Sequence, residues 1–151
     1  MSGLKERINA DLKSAMLARD AVKTQTLQGL KSAILYEEVA KKVRETGLDE
    51  AGIEQVIARE VKKRDEAAQL FEQGGNSEGA AKERAEKEIL SVFLPEQLSE
   101  AEVQKLVEAA VAEVKPEGVK DMGRVIGAVK AKAGNTADGA LVAKLVKESL
   151  Q

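Results

Sequence analysis

The chain has no cysteine and no histidine in its 151 residues. Without cysteine there is no disulfide, no thiolate metal site and no thiol nucleophile. Without histidine the usual general base is missing as well. A metal site would have to be built from carboxylates alone, and no Asp/Asn-Gly loop of the calcium-binding kind is present. Catalytic residues, metal and cofactor are therefore all expected to be none. Aromatics make up 2% of the chain and tryptophan is absent. The core must then be aliphatic, and a platform for stacking single-stranded bases is lacking. There are only two prolines, Pro95 and Pro116, which favours helices. No apolar run approaches the roughly 20 residues that span a bilayer. The N-terminal MSGLKERINADLK lacks the apolar stretch of a signal peptide. The expectation is a cytoplasmic chain with no membrane partner. The formal net charge of −2 argues against indiscriminate nucleic-acid binding, DNA included.

What is there is mostly helix-forming. Hydrophobic residues are 43% and charged residues 33%, the balance of a core-forming globular chain. A first helix is predicted over about 3–18, with Leu4, Ile8, Leu12 and Met16 inward and Ser2 as a cap. Asp20 caps a second helix that runs to near Glu45 and is ended by Gly47. Leu27, Leu30, Ile34 and Val39 face inward, and Glu37–Lys41 and Glu38–Lys42 pair along its exposed end. Tyr36 is assigned to packing. Asp49 starts a third helix through Gln73, lined by Ile53, Ile57, Val61, Ala68 and Phe71. Its cations Arg59, Lys62, Lys63 and Arg64 are interleaved with acids and read as a solvated, salt-bridged face. Gly74-Gly75-Asn76-Ser77 is a turn that closes a helical hairpin, and it lacks the Lys-Ser/Thr ending of a phosphate-binding loop. A fourth helix over about 78–93 turns Ala81, Ala85, Ile89 and Val92 inward. Pro95 disfavours helix at Leu94 and marks a boundary. The expectation is all-α: an N-terminal antiparallel helical domain with a long hairpin over 1–95, then a small three-helix domain over 96–151.

The C-terminal part opens on the capping box Ser99-Glu100-Ala101-Glu102. Val103, Leu106, Val107, Ala110, Val111 and Val114 face the core, and Lys115-Pro116 ends the helix. Two helices follow, over about 122–133 and 139–150. Asp121 and Asp138 read as their caps. Met122, Val125, Ile126, Val129 and Ala133 line the first, and Leu141, Val142, Leu145 and Val146 the second. Gly123 and Gly127 project away from the apolar face, although a glycine within a helix costs about 1 kcal/mol. From Val119 onward there are six cations, Lys120, Arg124, Lys130, Lys132, Lys144 and Lys147, against three acids. A small-residue strip flanked by cations suits close approach of an anionic backbone, although taken alone it more often marks a packed helix or is merely tolerated.

Several of these segments carry a resemblance. Leu30-Lys31-Ser32-Ala33-Ile34, Lys62-Lys63-Arg64-Asp65 and Phe71-Glu72-Gln73-Gly74-Gly75 are followed by Glu86-Lys87-Glu88-Ile89-Leu90 and Leu94-Pro95-Glu96-Gln97-Leu98-Ser99. Asp121-Met122-Gly123-Arg124-Val125-Ile126-Gly127 and Ala137-Asp138-Gly139 complete the series. In this order they resemble the GatB/YqeY family over nearly the whole chain. Asn135-Thr136 departs from it, since a basic residue is expected there. The resemblance implies a free-standing relative of the module that ends the GatB subunit of the glutamine-dependent aminoacyl-tRNA amidotransferase, where it helps hold the tRNA body. Nothing in the chain resembles that enzyme's catalytic domain. The resemblance thus implies weak binding of structured RNA, tRNA above all, through Lys120, Gly123, Arg124, Gly127, Lys130, Lys132, Lys144 and Lys147. An aminoacyl-tRNA synthetase or an amidotransferase would be the associated protein. The alternative is a protein-interaction module that docks its partner through the glycine-bearing helix.

Overall fold

The computed structural model describes residues 3–151, so the expected cap at Ser2 lies outside the described residues. They form seven α-helices: α1 Gly3–Leu17, α2 Ala21–Ala40, α3 Glu50–Gln73, α4 Ser77–Ser91, α5 Glu100–Val114, α6 Met122–Ala133 and α7 Gly139–Leu150. Short 3-10 turns at Val119–Asp121 and Gly134–Thr136 stand before and after α6, and the described residues contain no strand. Contacts divide the chain into two compact units, Met1–Leu94 and Pro95–Gln151.

The first unit packs around aliphatic side chains from four helices. Ile8 of α1, Leu27 and Leu30 of α2, Ile53 and Ile57 of α3 and Leu90 near the end of α4 are its fully buried large residues. Met16, expected in this stripe, is exposed, and Ala15 takes the inward position. Asp20 caps α2 by accepting from the Lys23 N–H, and Asp49 caps α3 through the Gly52 N–H, as their side-chain oxygens are suited to do.

The second helix is shorter than expected. It stops at Ala40, five residues before Glu45, and Gly47 plays no part in ending it. Lys42 adopts a left-handed φ of 59°. Its N–H donates to the Val39 carbonyl, and the Val43 N–H donates to the Glu38 carbonyl. This is the Schellman stop, usually made by glycine. Arg19, at φ 57°, closes α1 in the same way. Val39 and Tyr36, both expected to pack, are exposed. Glu38 does not pair with Lys42 on the surface. It is 3% exposed and accepts from the Leu48 N–H at 3.0 Å and from Lys5 Nζ at 3.1 Å. It thereby ties α1, α2 and the loop before α3 together.

The antiparallel α3–α4 hairpin turns at Gly75, whose φ of 79° favours glycine. Beyond the aliphatic core it is held by charge. Arg64 reaches Glu60 and Glu86 at 3.5 and 3.3 Å, Lys87 reaches Asp65 at 2.9 Å, and Arg84 reaches Glu72 at 2.7 Å. The inward face of α4 differs from the expected one. Ala81, Ala85 and Val92 are exposed; Ala80, Leu90 and Phe93 are buried instead. Glu86 and Lys87 occupy inward-leaning positions between them. Phe71 is not in the core either. Its ring lies against Gly79, where an added Cβ would stand 2.8 Å from Phe71 Cδ1, so a close approach fixes that glycine.

In the second unit Val103, Val107 and Ala110 of α5 pack against Val125 and Val129 of α6 and Val142, Leu145 and Val146 of α7. The capping box forms in full. Ser99 Oγ accepts from the Glu102 N–H, and Glu102 accepts from the Ser99 N–H, both at 3.2 Å. The Ser99 amide, then the Ser99 side chain, hold the Glu102 carboxyl below the usual carboxylate range. Replacing Ser99 by alanine is expected to lower stability by about 1 kcal/mol, measured as a drop in the denaturant midpoint at unchanged slope.

Candidate nucleic-acid interface

The C-terminal cations sit on two helices whose apolar sides are committed to the core. On α6, Val125, Val129 and Ala133 are buried, which leaves Gly123, Arg124, Gly127, Lys130 and Ala131 exposed. A Cβ built at Gly123 or Gly127 meets no heavy atom within 4 Å among the described residues. On α7, Val142, Leu145 and Val146 are buried, while Ala140, Lys144 and Lys147 are exposed. Lys130 and Lys147 lie in the last turns of their helices, where a cation meets the negative end of the helix dipole.

The eight residues named from the sequence do not stand alike. Lys120 Nζ is 2.7 Å from Glu117, Arg124 is 3.6 Å from Asp121, and Lys132 is 3.4 Å from Glu113 at the end of α5. Each of these charges already faces an acid. Lys132 turns toward α5 and away from the glycine strip. Lys130, Lys144 and Lys147 make no ion pair among the described residues. Exposed cations without a partner are the ones free to take up a phosphate.

Asp121 departs from its expected role. It makes no side-chain cap to α6. Its Oδ2 accepts from the Glu117 N–H at 2.8 Å and its Oδ1 faces Arg124, so it braces the loop before the helix. Asp138 does cap α7, accepting from the Leu141 N–H at 3.2 Å. Both carboxylates nearest the glycine strip are thus engaged structurally. The turn between α6 and α7, where a basic residue was expected, is pinned from the segment just before α5. The Leu98 N–H donates to the Thr136 carbonyl at 2.8 Å, and Gln97 Nε2 donates to the Asn135 carbonyl at 3.0 Å. Gln97 Nε2 also donates to the Pro95 carbonyl at 2.9 Å; sequence reasoning missed Gln97 because the Asn135 partner lies 38 residues along the chain.

No group of three or more acids, histidines or cysteines among the described residues could hold a metal ion. None of the described helices is long and apolar enough to cross a membrane.

Comparison with curated proteins finds no match. The family model described as Yqey-like protein matches residues 5–150, which takes in all seven helices but the first two residues of α1. The order of the sequence signatures and this match agree: the chain belongs to the Yqey-like protein family.

Proposed function

We propose that the second unit binds the backbone of a structured RNA, tRNA by family resemblance, and that the protein works beside a tRNA-dependent amidotransferase or an aminoacyl-tRNA synthetase without a catalytic centre of its own. The observation that carries this reading is the set of unpaired, exposed lysines Lys130, Lys144 and Lys147 on the non-core faces of α6 and α7. The open glycine strip supports it. Gly123 and Gly127 cost helix stability, and no neighbouring side chain accounts for them. With so few aromatics, recognition by shape and phosphate contact fits better than base stacking.

The test is a salt titration of tRNA binding by fluorescence anisotropy. Affinity should fall steeply as salt rises, in proportion to the phosphates contacted. Gly127→Leu separates this reading from a helix-packing strip. Because the site around Gly127 is open, leucine should raise stability by up to about 1 kcal/mol while RNA affinity drops. A loss of stability would instead mark the strip as a packing surface. Unchanged RNA affinity, with a protein partner lost, would favour the interaction module.

A further inference from the structure

The α3–α4 hairpin has an inner half that belongs to the core of the first unit and an outer half that does not. From α3 the core takes Ile53, Val56 and Ile57, with Val61 packed against it. From α4 it takes Leu90, with Ile89 packed against it. No residue between Val61 and Ile89 joins that cluster. The ion pair furthest along α3 that reaches α2 is Arg59 to Glu37, at 2.9 Å. Over residues 62–88 the only buried side chains are Ala68 and Ala80, two methyl groups that remove little apolar surface from water. At the tip Phe71 lies on Gly79 but remains 37% exposed, and Leu70 remains 69% exposed. The outer segments, 62–73 and 77–88, are short enough that each helix is marginal without packing.

Charge stands where the core is missing. Lys87 meets Asp65 at 2.9 Å and Arg84 meets Glu72 at 2.7 Å, with each of these side chains more than a third exposed. Arg64 is set deeper. Its one guanidinium serves three carboxylates: Glu60 at 3.5 Å on its own helix, and Glu86 at 3.3 Å and Glu83 at 4.0 Å on α4. Its Nε is buried and donates no hydrogen bond among the described residues. Lys63 offsets part of the excess acid by pairing with Glu60 at 3.0 Å. Every ion pair made by residues 62–88 stays within the hairpin.

We infer that the outer half of the hairpin is an arm that opens by itself while the core stays folded, with Arg64 as its latch and ionic strength as its control. A segment with few buried apolar contacts opens locally, at a free energy well below that of global unfolding. Exposed ion pairs add little to its stability and weaken as salt rises. Arg64 differs from the exposed pairs. Without it, three crowded carboxylates on two helices would face only Lys63, and their repulsion would part the helices.

Amide hydrogen exchange followed by NMR on the full chain tests the inference. Outer amides, in 66–72 and 81–87, are read against inner amides, in 27–34 and 54–60, in the same sample. After correction for intrinsic rates the outer amides should exchange about a hundredfold faster than the inner ones. Raising salt from about 0.05 to about 0.5 M should widen that ratio about threefold. Arg64→Met keeps an apolar stem in place of the Arg methylenes and should widen the ratio about tenfold. Adding Glu86→Gln removes one of the crowded charges and should recover part of that loss. The salt series on the unaltered chain does not depend on any variant folding. Equal protection along the whole of α3, or a ratio unmoved by salt, would overturn the inference. So would an Arg64→Met variant whose inner and outer amides speed up together, which would make Arg64 part of the global fold. A loss that Glu86→Gln does not recover would give Arg64 a packing role and overturn the latch. No RNA is present, so the outcome is independent of the RNA reading.

Discussion

Reversing the charge of Lys130, Lys144 and Lys147 together is expected to bring tRNA binding below detection at physiological salt. Each lost phosphate contact lowers the slope of log affinity against log salt by about 0.9, so three contacts remove close to three units of slope. Reversal also adds repulsion between each new carboxylate and the phosphates. The fold should survive, because all three side chains are exposed. Lys130 and Lys147 lie in last helical turns, so losing each should cost about 0.3–1 kcal/mol through the helix dipole, which thermal unfolding would register. Single substitutions at Lys120 or Lys132 should do much less, because Glu117 and Glu113 already neutralise them. Removing that neutralisation makes the sharper test: Glu117→Gln should strengthen binding. An unchanged anisotropy titration for the triple variant, with the fold intact, would end the RNA reading.

The difference between paired and unpaired cations is what the sequence could not supply. Its +3 local balance was legible, and so were the bounds of α6 and α7, where apolar spacing and Gly134 and Gly139 frame each helix. Which lysines are already occupied depends on Glu113 across from α6 and on the loop that brings Glu117 to Lys120. In the first unit α3 was legible at both ends because Asp49 and Gly74 mark them. The end of α2 was hidden because Lys42, not a glycine, takes the left-handed position. The face of α4 was misread because Glu86, paired with Arg64, occupies a largely covered position, and apolar periodicity sees only the alanines. Glu38 was read as surface because its acid–base spacing with Lys42 matched a helix pair. Once α2 stops at Ala40, Lys42 turns away and the loop returns Leu48 to the carboxylate.

That buried carboxylate should make the first unit sensitive to acid. Burial alone pushes the Glu38 carboxyl up, but the Leu48 amide and the Lys5 ammonium outweigh it, and the net direction is down. A carboxyl held below its ordinary value binds fewer protons in the folded state than in the unfolded chain. Its contribution to stability is therefore complete above the ordinary glutamate range and is lost as pH falls through the lowered folded value. Glu37, held down chiefly by Arg59, acts in the same direction at the surface. The denaturant midpoint should thus fall as pH drops below about 4.3. Glu38→Leu leaves the Leu48 N–H without its acceptor and should cost about 1–3 kcal/mol at neutral pH. Glu38→Gln keeps an oxygen for that amide but gives up the charge beside Lys5. It should cost less than Glu38→Leu and should flatten the acid limb of the stability profile. Equal midpoints for wild type and Glu38→Gln at neutral pH, with the acid limb unchanged, would show that the carboxylate's charge does not hold α1 to α2.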